Sequence, residues 1–211
     1  MLSVALTASS LIFIVAYLLF TTYIYKKESG DSYSFRNCFP FELWIKRSRS
    51  FNWANVFLFI ALGTGFVNYL IFTINNFSVN NTFLSVYALF SYFGVLTLFY
   101  IPPYKLKAFL SFAILTALAS TALNFQMLFI IFQNVNIKET IIFYVILVIS
   151  LILGLVSLVT SFFIRIDDLH MNKDELGNLV RPKRILMAVF EWLTILAIFL
   201  SQVSLVLYQI G

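Results

Sequence analysis

Polar side chains are sparse and bunched along this chain, and the intervals between the bunches are apolar for about twenty residues at a time. Six such intervals stand out: 2–25, 54–74, 83–101, 108–132, 140–164 and 185–210. Crossing a bilayer takes roughly 20 consecutive apolar residues as a helix. Helix is the economical conformation there, because an open strand would leave backbone N–H and C=O groups unpaired in lipid. The pattern therefore predicts an all-α fold, a single domain over 1–211 built as a six-transmembrane-helix bundle.

The polar intervals then orient the spans. Lys26, Lys27, Arg36, Lys46, Arg47 and Arg49 fall in the loop 26–53, Lys105 and Lys107 in or beside 102–107, and Arg165, Lys173, Arg181, Lys183 and Arg184 in 165–184. These three loops share one side of a six-span threading, and the opposite side retains only Lys138. Cytoplasmic loops carry the excess of Lys and Arg. The three basic loops are thus expected in the cytoplasm and both termini outside. The first ten residues, MLSVALTASS, carry no basic side chain. A cleaved signal peptide would begin with a positive region and have a shorter apolar core, so the first segment is read as a retained span.

The stretch RNCFPFELWIKRSRSFNW, Arg36 to Trp53, is basic and aromatic. Pro40 suits a first helical turn. At 100° per residue Phe41, Trp44, Ile45 and Phe51 fall within about 120° of arc, while Glu42, Lys46, Arg47 and Arg49 face elsewhere. Leu43 lies off the stripe. The expectation is a short interfacial helix after the first span, its basic face toward anionic headgroups and its tryptophans at the interface. The alternative is a docking surface for a cytoplasmic ATPase.

Polar and small residues inside the spans mark faces that turn toward other helices, because lipid-embedded helices associate through such contacts. Ala61, Thr64, Gly65, Asn68 and Asn75 share one face of the second span. Ala113, Thr116, Ala117, Ser120 and Asn124 do so on the fourth, and Ser150, Gly154, Ser157, Ser161 and Arg165 on the fifth. On the sixth the stripe is Arg184, Glu191, Thr194, Ser201 and Gln202. Gln126 points away from the Asn124 stripe. Glu191 is the acidic residue inside a span, about two turns or roughly 10 Å beyond Arg184. A carboxylate at that depth is costly unless paired, protonated or wetted. The expected role is an ion pair with Arg184 or Arg165; the other reading is a proton or cation site. Asn68 and Asn124 either line a cavity or hydrogen-bond across helices.

Composition agrees with a membrane protein. Of 211 residues 61% are hydrophobic and 11% charged, where soluble domains carry about 25% charged residues. Mean hydropathy is +0.94. The net charge of +5 reflects loop topology, so no nucleic-acid partner is expected. Abundant Phe, Ile and Asn suggest an AT-rich genome and a bacterial plasma membrane. One cysteine, Cys38, excludes an intramolecular disulfide, and one histidine, His170, excludes a two-histidine metal site.

Candidate chemistry adds little. Asp168, His170 and Asn172 fit a calcium loop poorly, lacking the sixth-position glycine and final glutamate. The internal KDEL at Lys173–Leu176 cannot act as a terminal retrieval signal, and DELGN reads as a turn. Asn76-Phe-Ser78 and Asn80-Asn-Thr82 match the glycosylation pattern but suit an Asn-rich turn as well. Phosphate loops, nucleophile elbows and intramembrane histidines are missing from the sequence, so neither catalytic residues nor a cofactor are expected. The halves show no internal repeat, against an inverted-repeat transporter. The function read from this is a non-enzymatic membrane subunit of a transport or export system, partnered by lipid, other membrane subunits or an ATPase. The alternatives are a small permease with Asn68, Asn124 and Glu191 around a cavity, and a structural, immunity or assembly factor acting by contact.

Overall fold

The structure, a computed structural model, describes residues 2–45, 49–101, 106–134, 141–163, 172–173, 179–180 and 185–210. Seven helices appear among them: α1 (Leu2–Ser29), α2 (Glu42–Ile45), α3 (Arg49–Asn75), α4 (Val79–Tyr100), α5 (Leu106–Asn134), α6 (Ile141–Phe163) and α7 (Leu186–Ile210). Five of them, α1, α3, α4, α5 and α7, are long and apolar enough to cross a membrane. The backbone of α6 runs 23 residues, and it is apolar over Tyr144–Val156. A two-residue antiparallel ladder, β1 (Asn172–Lys173) with β2 (Leu179–Val180), precedes α7. Arg165, Arg184 and the DELGN turn lie outside the described residues.

The molecule is a helical membrane bundle, and its burial pattern shows why. Large apolar side chains face outward: Ile12 and Leu19 on α1, Phe59 on α3, Phe90 and Phe93 on α4, Phe129 on α5. Small polar ones are inside: Thr7, Ser10, Ser91, Thr116, Ser120, Ser150 and Ser201 are buried. Water would not tolerate that exterior, whereas lipid rewards it and leaves small and polar residues to mediate helix contact.

Helices adjacent in sequence pack side by side, and α7 touches α1, α3, α4, α5 and α6. The last helix is therefore the axis of the bundle. The chain runs back and forth between two ends. One holds Ser29, Arg36 and Ile185 and is called the basic end here; the other holds Asn75, Asn80 and Gln133 and is called the asparagine end.

Local chemistry sets the boundaries. α1 runs past its apolar core to Ser29 and stops at Gly30, whose φ of 78° is left-handed. The Gly30 N–H donates to the Lys26 carbonyl at 3.0 Å, a cap for which glycine is suited because it has no Cβ to clash. α4 begins four residues earlier than its apolar run implies. Ser78 is extended (φ −155°, ψ 161°) and its Oγ accepts from Asn81 N–H at 3.1 Å, which draws the asparagines into the first turn. Two prolines in sequence follow Ile101 and prevent continuation.

A short helix follows the first span, as expected, but the stretch before and within it buries residues that the expected lipid-facing stripe does not. The described short helix, α2, covers Glu42–Ile45, and Phe51 and Arg49 belong to α3; residues 46–48 lie outside the described residues. Leu43, off that stripe, is fully buried, together with Phe39 and Phe41. The reason lies in the cap. Glu42 Oε1 accepts from the Phe39 N–H at 2.9 Å while the Glu42 N–H donates to the Phe39 carbonyl at 3.0 Å. That reciprocal closure, half of a capping box, winds a tight turn that drives Phe39, Phe41 and Leu43 into the bundle. Lys46 and Arg47, like the side chains of Trp44, Ile45, Arg49 and Phe51, lie outside what the structure describes.

Candidate functional site

Two polar layers run through the bundle. Toward the asparagine end, α1 and α3 are joined by a ladder. Ser3 Oγ donates to Asn68 Oδ1 at 2.6 Å, Asn68 Nδ2 donates to Thr7 Oγ1 at 2.8 Å, and Ser10 Oγ donates to the Ala61 carbonyl at 2.7 Å. Ser3, Thr7 and Ser10 are spaced i, i+4, i+7 and so share one helix face. Beside it, Tyr69 and Ser201 are hydrogen-bonded at 2.7 Å, linking α3 to α7, and the Gln202 amide donates to Tyr92 Oη, linking α7 to α4. Gly65 gives these groups room: a Cβ there would meet Gln202, Tyr92 and Ser10.

Asn124 serves the other side of the bundle. Its Nδ2 donates to the Ser120 carbonyl at 2.8 Å, and its Oδ1 accepts from Ser150 Oγ across to α6. Asn68 and Asn124 are both fully buried, each in its own helix pair, with their bonds made to serine, threonine or backbone. Gln126 finds its place too. Its Nε2 donates to the Asn80 carbonyl at 3.0 Å, tying α5 to the first turn of α4.

The basic end is built differently. The segment between α1 and α2 folds over the start of α7 and is held there by side chains. Tyr33 Oη donates to the Phe39 carbonyl at 2.8 Å and the Trp192 indole N–H donates to the Cys38 carbonyl at 3.0 Å. The Ile185 N–H donates to the Arg36 carbonyl at 2.8 Å. Aromatic rings fill the seam: Trp192 meets Phe35, Phe99 and Tyr33 edge-on at centroid distances of 4.8, 5.9 and 6.1 Å, within the range at which such pairs attract. Burial, and then the neighbouring Cys38 and Glu42, push the Tyr33 phenol well above its ordinary value, so it remains the neutral donor these contacts need.

Under this lid sits Glu191. It is 3% exposed, and neither carboxyl oxygen has a hydrogen-bond partner among the described residues. Glu42 and Tyr33, both on the lid side, are within electrostatic reach of it. Lys26, Lys27 and Arg36, the cations of this end whose side chains the structure describes, are exposed.

The polar residues singled out in the sequence thus occupy three places: Asn68 between α1 and α3, Asn124 between α5 and α6, and Glu191 near the opposite end. They are not brought together. Tyr33, Trp192, Tyr69 and Tyr92 complete these arrangements; in the sequence the last three read as lipid-facing aromatics of apolar runs, and Tyr33 as one residue of a polar loop. Two recesses open elsewhere. An apolar groove of about 460 Å³ between α4 and α5 is lined by Phe90, Phe93, Gly94, Leu115 and Thr116, among others. A polar recess of about 300 Å³ at the asparagine end is lined by Asn76, Asn80, Asn81, Gln133 and Tyr208, among others. No three His, Cys, Asp or Glu side chains converge as a metal site among the described residues. No protein-family model matches the chain, and neither does any curated protein or solved structure.

Proposed function

We propose that the chain is a non-enzymatic membrane subunit of a transport or export system, working through contact with other chains. The observation that carries this reading is the state of the deep amides. Asn68 and Asn124 hydrogen-bond across neighbouring helices, so they lock the bundle instead of lining a path. A permease built around Asn68, Asn124 and Glu191 needs the three to face one space, and they sit in separate helix pairs or at separate ends. The concentration of Lys and Arg in three loops, with Lys138 alone on the other side, supports a cell-membrane orientation with those loops in the cytoplasm and both termini outside.

The test is purification in mild detergent from the native membrane. A stoichiometric complex with an ATPase or further membrane subunits is expected, and its transport activity should fall when the present chain is deleted. Solute uptake by the chain alone, reconstituted in liposomes, would overturn the reading.

A further inference from the structure

Glu191 has no part in the contact role just described, and its surroundings ask for an explanation. A buried carboxylate needs a cation, a set of hydrogen-bond donors, or a proton. Donors are lacking at both oxygens among the described residues. Among the described residues the neighbouring titratable groups are Glu42 on α2, an acid, and the Tyr33 phenol, which donates a hydrogen bond to the Phe39 carbonyl. The Trp192 indole, next in sequence, is turned to the Cys38 carbonyl. A metal ion is poorly served as well. Hard cations want six or more oxygen ligands, or retained waters. Here the Cys38 and Phe39 carbonyls already accept from Trp192 and Tyr33, and one Glu42 oxygen accepts from the Phe39 N–H. A proton demands no coordination sphere.

We propose that Glu191 is a proton-binding site, carried as the neutral acid beneath the lid formed by residues 33–43 and exchanging its proton with water only when that lid lifts. The latch is the bond from the Trp192 indole on α7 to the Cys38 carbonyl, and the Tyr33 bond to the Phe39 carbonyl braces the lid from within. Because the lid joins α1 to α3 and closes on α7, lifting it gives the proton a route from the basic end alone.

Infrared spectroscopy of the full chain in phosphatidylcholine vesicles reads this directly. At neutral pH the wild type is expected to show one protonated-carboxyl stretch that shifts in D2O. Glu191→Gln should abolish that band, Glu191→Asp should displace it, and Glu42→Gln should retain it. If Glu191→Gln does not fold, displacement in Glu191→Asp makes the assignment. Trp192→Phe with Tyr33→Phe should keep the band and exchange it with D2O at least tenfold faster. A wild-type spectrum with carboxylate bands only means that Glu191 is ionised against a basic partner or a bound cation, and overturns the proposal. A band that persists in Glu191→Gln overturns the assignment, and an exchange rate unmoved by the latch variants overturns the lid.

Discussion

Glycine decides how closely α4 and α5 approach. A Cβ built at Gly94 would press on Thr116 through Oγ1, Cγ2 at 2.7 Å and Cβ at 2.9 Å. Threonine is branched at Cβ and cannot swing its bulk aside, since its χ1 freedom is narrow in a helix. Gly94→Ala should therefore push the helices apart at a cost of about 1–3 kcal/mol, typical of overpacking. Thr116→Ala removes two of the three obstructing atoms and should restore part of the loss. Gly63, also helical, has nothing within 4 Å of such a Cβ. Gly63→Ala should be neutral or gain about 0.5–1 kcal/mol through helix propensity. Thermal unfolding in detergent compares the three variants. An unchanged Gly94→Ala protein means that the α4–α5 contact is looser than its geometry.

Among the elements, the lid is held by few enough bonds to be tested singly. Trp192→Phe preserves the ring contact with Phe35 and loses the 3.0 Å bond to the Cys38 carbonyl. The expected cost is about 1 kcal/mol, with faster backbone hydrogen exchange confined to residues 33–43. Protection lost equally along α7 would mean that the indole supports the bundle and not the lid. Tyr33→Phe should cost a similar amount at neutral pH, and its pH dependence has a definite sign. The phenol titrates higher in the folded chain than its ordinary value, so the fold favours the neutral form. That stabilisation is complete below pH about 10, the unfolded value, and is lost as pH rises toward the folded one. The gap between wild type and Tyr33→Phe should be constant below pH about 10 and close above it; a gap that widens with alkalinity contradicts the neutral-donor role. The long helices were legible in the sequence because apolar length is a strong signal, and Glu191 was conspicuous because charge in an apolar run is expensive. The lid was not. Periodicity leaves Leu43 off the buried face, but the Phe39–Glu42 cap turns Phe39, Phe41 and Leu43 together into the bundle, and nothing in a hydropathy pattern reports such a closure.

The whole molecule has two unlike ends, and its orientation can be tested with the chain's own cysteine economy. Cys38 is buried at 4% exposure with its thiol donating to Asn37 Oδ1 at 3.3 Å, so Cys38→Ser gives a cysteine-free background with little loss of packing. Phe77, in the turn between α3 and α4, is 85% exposed, and Ser32 is exposed at the basic end. The two positions bracket the bundle, since α1 ends beside Ser32 and α3 returns to the turn holding Phe77. In intact cells a membrane-impermeant maleimide should label Phe77→Cys and spare Ser32→Cys, and both should react once the cells are opened. Lys and Arg are held back from translocation while Asp and Glu contribute little, so the basic end is expected inside. The reverse labelling would place the Glu191 lid on the outer face. Its proton would then come from the medium and not the cytoplasm, and the direction of any coupling through Glu191 would invert with it. Orientation thus decides which compartment can load the buried acid.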